Sequence, residues 1–406
     1  MQTLSSAWRL VRSSSMQSSS NDIRNEAIEF EADSYRKLKS IQARLQKRTF
    51  QFLPQYGIAK VRPGKSPRPL VIAPIENRIV QRAILDVLQK HVPYVQSVLD
   101  VPTSFGGIKG KNVEKAISAI NGIFSSGVTH YIRSDIPSFF TKVIRERVVS
   151  VLSSNIDDVH MMGLFTFAIE TTLSNFSDLE RRKLDLYFPL EHEGVAQGSP
   201  LSPLIANIYL SEFDREMNND QIACVRYIDD FVILAKSEKS AAAGFRSAKA
   251  ILKRQGLEAY SPDADPSKAG RGSIADGFDF LGCYIKPGLV QPSRNARKSI
   301  LDKIDAEMNL ACMLANFALS GNGSSGLGGG CYGQAISNIN NIVWGWGKAF
   351  RFCTGSQVIE ELDKKVSEKL DTFDRRIAKL LSRATHDQKR KIYGVRMLSL
   401  AMVGAS

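Results

Sequence analysis

Two adjacent carboxylates between two apolar runs constrain this chain more than any other feature. Ala223-Cys224-Val225-Arg226 and Phe231-Val232-Ile233-Leu234 flank Tyr227-Ile228-Asp229-Asp230. Short runs of aromatic and β-branched residues around a tight turn predict a β-hairpin. Ionised carboxylates beside buried strands are costly unless they are paired or bound to a metal. Asp229 and Asp230 therefore read either as a solvated turn or as metal ligands, and the surrounding sequence has to decide.

A second strand-like run, His130-Tyr131-Ile132-Arg133-Ser134-Asp135, ends on another aspartate and is followed by Ile136-Pro137-Ser138-Phe139-Phe140. Between the two aspartate sites, Glu193-Gly194-Val195-Ala196-Gln197-Gly198-Ser199-Pro200 forms a Gly/Pro turn that opens an apolar, helix-periodic run ending at Leu210. In order and spacing these segments resemble a reverse transcriptase of the bacterial group II intron-like lineage. The resemblance covers nearly the whole chain. Residues 65–74 with 77–85 are similar to the family's fingers motif, and Phe105-Gly106-Gly107-Ile108-Lys109-Gly110 to its next block, where the family more often has Arg at the place of Ile108 or Lys109. Gly256-Leu257-Glu258 with Ser261-Pro262 resembles the palm motif after the catalytic turn, Phe280-Leu281-Gly282-Cys283 the primer grip, and residues 342–351 the thumb signature.

The resemblance implies an α+β right-hand polymerase fold. It comprises an N-terminal helical extension over 1–50, fingers over 51–130, a palm with an antiparallel sheet over 131–290 with fingers elements interleaved, and an α-helical thumb over 291–406. The implied activity is RNA-directed DNA polymerisation, an in-line attack of a primer 3′-hydroxyl on an α-phosphate assisted by two divalent ions about 3.5–4 Å apart. Asp135, Asp229 and Asp230 are the implied catalytic residues, and Asp135, Ile136, Asp229 and Asp230 the implied metal site. Asp135 and Asp229 would bridge, with Asp230 more peripheral. Mg2+, with Mn2+ as a substitute, suits such oxygen ligands.

The resemblance further places Arg68, with Lys60 beside it, on the incoming triphosphate, where a guanidinium offers bidentate contacts that an ammonium cannot. Gln197 and Gly198 contact the nucleotide. Phe140, five positions after Asp135, is the steric gate against a ribose 2′-hydroxyl, while Phe139 belongs to the core. By the same resemblance Phe280, Leu281 and Gly282 would grip the primer, and Trp344, Trp346 and Arg351 would bind nucleic acid. A solvated loop lysine stays open as a reading of Lys60, as does a turn glutamine for Gln197.

A chain of 406 residues with a net charge of +13 can bury a large core and suits a polyanionic partner. Five cysteines without C-x-x-C spacing, Cys224, Cys283, Cys312, Cys331 and Cys353, indicate neither a zinc site nor a disulfide framework, and fit a reducing bacterial cytoplasm. No apolar run is long enough to cross a bilayer. The first fifty residues read as helices separated by a Ser-rich loop, Ser13 to Ser20. Leu4, Ala7, Trp8 and Val11 form one stripe, and Leu38, Ile41 and Leu45 mark a second amphipathic helix. After Pro292 two further stripes follow, Ile300, Ile304, Met308 and Ala311, then Val358, Leu362, Val366 and Leu370. The Gly-rich run from Gly321 to Gly330 lacks a following Gly-Lys-Ser/Thr, so it reads as a connection between helices rather than a phosphate loop. Arg375, Arg376, Lys379, Lys389, Arg390 and Lys391 are candidate duplex or RNA contacts, though for each singly a solvated helix face is the preferred reading.

The sequence as it stands leaves no room after the thumb for an RNase H domain or for the DNA-binding and endonuclease segments of mobile intron enzymes. Asn295-Ala296 is followed by Arg297, Lys298 and Ser299, not by the histidine of retron enzymes, and Gln197-Gly198 keeps the turn that diversity-generating enzymes alter. The free-standing defence-associated class, the unknown-group and abortive-infection relatives, is the preferred expectation, on the run Ala73-Pro74-Ile75-Glu76-Asn77-Arg78. Its partners would be an RNA template, a DNA or RNA primer, deoxynucleotides, a structured noncoding RNA, and a protein partner or second copy of the chain. A repair polymerase, with which Ile228 in the catalytic turn is compatible, and an RNA-binding maturase or scaffold with relic motifs are the alternatives; a polymerase making RNA is a further rival, and priming from a protein hydroxyl stays open.

Overall fold

The computed structural model describes residues 1–62, 65–189, 192–320 and 331–395. It is an α+β protein whose sheets are all antiparallel, and the chain divides into two compact units, Met1–Ser273 and Ile274–Ser406.

In the first unit, strands β1 (Tyr56–Arg62) and β2 (Lys65–Ile72) form a two-stranded ribbon. The central sheet is built from β3 (His130–Ser134), β4 (Ile222–Tyr227), β5 (Asp230–Ala235) and β6 (Gly270–Ser273), in the order β4-β5-β3-β6. Phe231 to Ala235 are buried at every position, so β5 has both faces covered. That explains why its sequence reads as a continuous apolar run rather than an alternating one. One face packs on the helix Glu238–Arg254, where Gly244 leaves room for Ile222 and Ile233. The helix Ser202–Tyr209 opens directly from the Gln197 turn, and all but Pro203 of its residues are buried.

Three helices precede the ribbon: Gln2–Met16, Asn21–Glu31 and Ser34–Gln46. The stripe Leu4, Ala7, Trp8 and Val11 is buried, as are Leu38 and Ile41, in one core with the helix Ile75–His91. Two expectations change here. The Ser-rich loop begins later, because Ser13 to Ser15 stay helical; the Ser15 hydroxyl donates to the Val11 carbonyl at 2.7 Å and so spends its polarity within the helix. A helix at Asn21–Glu31, contributing Ala27 and Phe30 to the core, lies between the two that were anticipated. Arg78 ties this layer down, donating to Ser15 Oγ at 2.9 Å and pairing with Glu26.

The second unit holds the meander β7 (Phe278–Phe280), β8 (Cys283–Lys286) and β9 (Leu289–Pro292), followed by helices Arg294–Leu319, Cys331–Ala349, Ser356–Leu381 and His386–Tyr393. The Ser293 side chain caps the first of these by accepting from the Ala296 amide at 3.1 Å. Ile300, Ile304, Met308 and Ala311 are buried with Leu362 and Val366, and Leu370 packs at the margin, so both stripes face one core. The glycine run 321–330 lies outside the described residues. No helix among the described residues is long and apolar enough to cross a membrane.

Candidate active site

The pair Tyr227↔Asp230 closes the β4–β5 hairpin on only two residues, Ile228 and Asp229. Ile228 has φ +59° and Asp229 has no positive φ, the pattern of a type II′ turn, whose first central position favours glycine. For a β-branched residue this backbone is strained by about 1–3 kcal/mol and persists only where the surroundings impose it.

Three neighbours do so. The fully buried Arg226 donates from Nη1 to the Ile228 carbonyl at 2.9 Å, and from Nη2 to Ser104 Oγ at 2.7 Å and Asn207 Oδ1 at 3.0 Å. Its Nε donates to Asp214 Oδ1 at 2.6 Å, and its Nη2 pairs with the second oxygen of the same carboxylate. Gly106 forms the second neighbour. A Cβ there would lie 2.5 Å from Ile228 Cγ1 and 2.6 Å from its backbone nitrogen, and Asn207 Nδ2 holds the Gly106 carbonyl at 3.0 Å. The third is the chain just past β3, where the Ile136 amide donates to the Asp229 carbonyl at 3.2 Å.

The sheet register completes the site. β3 pairs with β5 through Ser134↔Phe231, so Asp135 emerges beside Asp229 and Asp230 at one end of the sheet. Its carbonyl accepts from the Tyr260 amide at 3.2 Å, and Ser134 Oγ donates to the Tyr260 carbonyl at 2.8 Å. Lys268 Nζ lies 3.5 Å from Asp135 Oδ2. Burial, and then the charge of Asp135, push Asp229 up to about 6, with Arg68 and Lys268 opposing. Burial, and then Asp135 and Asp229, push Asp230 up to about 7. Three carboxylates thus share one field.

Among the described residues no three His, Cys, Asp or Glu side chains converge into a ready-made metal cage. The donor set nevertheless fits a magnesium-like ion. These are hard oxygens, with Asp229 and Asp230 raised by burial and by the charge of Asp135, and Mg2+ is commonly held by one or two carboxylates together with waters and substrate phosphates.

The ribbon and the Gly/Pro turn come together next to this cluster. Arg68 Nε donates to Gln197 Oε1 at 2.9 Å, and the Val71 amide donates to the Gln197 carbonyl at 2.8 Å. Gly198 has φ +127°, and a Cβ there would sit 2.6 Å from the Val71 carbonyl oxygen, so the close approach of turn to strand requires glycine. Lys60 is exposed and faces Arg68 across the ribbon. Phe140 is half-buried, its ring centroid 5.4 Å from that of the buried Phe139, and its carbonyl accepts from the Val195 amide at 2.8 Å.

Phe280, Leu281, Gly282, Trp344, Trp346 and Arg351 belong to the second unit. Leu281 and Gly282 form the turn between β7 and β8, both with positive φ, and Phe280 is buried. The Ser293 amide donates to the Gly282 carbonyl at 2.9 Å. Trp346 packs on Phe350 at 4.6 Å, whereas Trp344 is 65% exposed with Lys348 over its ring at 5.2 Å.

Arg226 and its partners are hidden in the sequence, where Arg226 reads as the end of an apolar strand. A lone charge in such a strand demands a buried counter-charge, and Asp214 beside the apolar Phe213 was the available signal. Lys268 gave no comparable signal.

A family model described as reverse transcriptase (RNA-dependent DNA polymerase) matches residues 58–285. An uncharacterized 91 kDa protein in the cob intron of Schizosaccharomyces pombe is 29% identical over 175 residues, 43% of this chain and 20% of that protein. Protein YkfC of Escherichia coli is 27% identical over 255 residues, 53% of this chain and 62% of that one. The group II intron-encoded protein LtrA of Lactococcus lactis subsp. cremoris is 27% identical over 154 residues, 37% of this chain and 23% of that protein. The chain therefore spans between a fifth and three fifths of the length of these relatives.

Proposed function

Since this chain belongs to the reverse transcriptase (RNA-dependent DNA polymerase) family, we propose that it extends a primer 3′-hydroxyl with deoxynucleotides on an RNA template. The observation that carries this reading is the convergence of Asp135, Asp229 and Asp230 at one end of a sheet whose register fixes all three. In this reading residues 51–130 act as fingers, 131–290 as palm and 291–406 as thumb, with 1–50 as a helical extension.

Asp135 and Asp229, with Asp230 and the Ile136 backbone beside them, would hold two Mg2+ ions, or Mn2+ in their place. Bound there, the ions supply activation of the 3′-hydroxyl and stabilisation of the charge developing on the phosphate. The protein's own share is positioning and charge. Arg68, oriented by Gln197, meets the triphosphate with Lys60 behind it, while Gly198 lets the turn approach β2. Phe140 stands as the gate against a 2′-hydroxyl, held in place by Phe139 and the Val195 amide. Phe280, Leu281 and Gly282 would steady the primer end, and Trp344, Trp346 and Arg351 would contact the duplex.

The biological role we propose is antiphage defence in a bacterial cytoplasm, with a structured noncoding RNA as template, supported by the likeness of residues 73–78 to defence-associated enzymes. The test is synthesis by purified protein given Mg2+ and deoxynucleotides without added nucleic acid, followed by sequencing of the product. A defined DNA that is lost on RNase treatment, and absent from Asp229→Ala protein, supports both parts. Activity only on an added primed template keeps the polymerase and removes the bound-RNA role. Inactivity on every primed template overturns the polymerase reading.

A further inference from the structure

The catalytic turn is held from behind by a charged network in the core. Arg226 is fully buried and Asp214 nearly so. A buried ion pair is weak evidence for stability, because apolar residues of similar volume commonly replace one at no cost. The guanidinium must therefore be explained by its geometry. Four of its five hydrogen bonds anchor it, two on the Asp214 carboxylate, one on Ser104 and one on Asn207; the fifth reaches the Ile228 carbonyl. That carbonyl lies in the peptide plane joining Ile228 to Asp229. Because the peptide is planar, holding its oxygen sets that plane and the place of the Asp229 Cα; with the Asp229 carbonyl held in turn by the Ile136 amide, the residue is restrained on both sides and its side chain is aimed.

We infer that Arg226, clamped by Asp214, is a positioning residue that holds the strained Ile228 turn and so sets how strongly the aspartate cluster binds a divalent cation. Ile228 at φ +59° is what makes the clamp necessary. A residue that resists this conformation needs an external hold, and a lysine, with a single ammonium in place of a planar fork, cannot grip Asp214, Ser104, Asn207 and the turn together. The inference rests on the polymerase reading for its kinetic readout only; its binding readout is independent.

The test compares wild type with Arg226→Lys and with the double variant Arg226→Met/Asp214→Leu, which removes both charges and leaves neither one stranded. Mn2+ binding to the protein free of nucleic acid, read by electron paramagnetic resonance, is measured beside Tm and primer-extension kinetics. The expected result is a double variant that melts near wild type but binds Mn2+ roughly tenfold more weakly, with kcat reduced by roughly ten- to a hundredfold and KM for the nucleotide little changed. Arg226→Lys shows the same weakening although it keeps its charge. Adding Ile228→Gly to the double variant recovers most of the Mn2+ affinity, since glycine takes positive φ freely.

A folded double variant with wild-type Mn2+ affinity and kcat overturns the inference. So does a parallel fall of Tm and Mn2+ affinity that Ile228→Gly does not reverse, and so does a wild type that binds no Mn2+. Mn2+ binding that responds as expected in a protein unable to extend any primer upholds the inference and removes the polymerase reading.

Discussion

Two two-residue hairpin turns, one in each unit, reach positive φ by different means. Ile228-Asp229 puts a β-branched residue where glycine is favoured and is held by Arg226, Gly106 and the Ile136 amide. Leu281-Gly282 has positive φ at both positions and places a glycine at one of them, where a Cβ would make only ordinary contact, with Phe350 Cζ at 3.6 Å. Each turn holds one non-glycine residue at positive φ, but Ile228 is gripped by a buried side-chain network, whereas Leu281 is helped by the glycine beside it and by the Ser293 amide on the Gly282 carbonyl. Strain supported from outside is costly to maintain, and it is found where a side chain must be aimed accurately.

The largest effect expected on either turn is chemical. Asp229→Asn should reduce deoxynucleotide incorporation by roughly a thousandfold, the scale of losing a key electrostatic group, whereas Leu281→Ala should leave most of it. Steady-state primer extension measures both. If Asp229→Asn keeps more than a tenth of the activity, the turn does not carry the chemistry.

Next is the steric contrast. Gly106→Ala drives a methyl into Ile228 and should destabilise the protein by about 1–3 kcal/mol, with loss of activity. Gly282→Ala meets only the backbone penalty, about 1 kcal/mol. Chemical denaturation of the two variants separates them, and equal losses would mean that Gly106 does not back the turn.

The pH dependence should also distinguish the turns. Asp229 and Asp230 titrate near 6 and 7 in the native state against an ordinary value of 3.8, so the native protein keeps protons that the unfolded chain releases. Their contribution to stability is complete below pH ~4 and is lost as pH rises through about 7. Tm of the metal-free protein should fall between pH 5 and pH 8 by an amount worth on the order of 1–3 kcal/mol. Asp230→Asn, or millimolar Mg2+, should flatten the curve; a wild-type curve that is already flat would contradict the shared-field description of the cluster.

The smallest effect belongs to Ile228→Gly in the otherwise unchanged protein. Relief of strain and the added freedom of the unfolded chain oppose each other, so stability should move by less than about 1 kcal/mol. A loss of several kcal/mol would mean that the Ile228 side chain, rather than the clamp, holds the turn.

The hairpin, the helix after the Gln197 turn and the apolar stripes of both units were legible because their periodicity and turn residues agree with the tertiary structure. That Asp135, Asp229 and Asp230 belong to one site was an expectation carried by the resemblance to reverse transcriptases, since no local pattern joins residues about ninety positions apart. What the sequence concealed was long-range and polar. The contacts among Arg226, Asp214, Ser104 and Asn207 join segments separated by as many as 122 positions, and a lone arginine in an apolar strand signals that partners are needed without locating Ser104 or Asn207. Ile228 concealed its own conformation, since propensity places isoleucine within a strand rather than at positive φ. The extent of the first helix was obscured by its serines, whose back-bonding to the previous turn became visible only in the fold.

That first helix has a consequence at the level of translation. It ends at Met16, so a ribosome initiating at this internal methionine would make a chain lacking Leu4, Ala7, Trp8 and Val11. The truncated product would uncover the side of Ile75–His91 that those residues cover, forgo burial worth on the order of 5 kcal/mol, and leave Arg78 without its Ser15 acceptor. Expression plasmids that permit both starts would thus yield two species of unequal solubility, with the shorter one prone to aggregate.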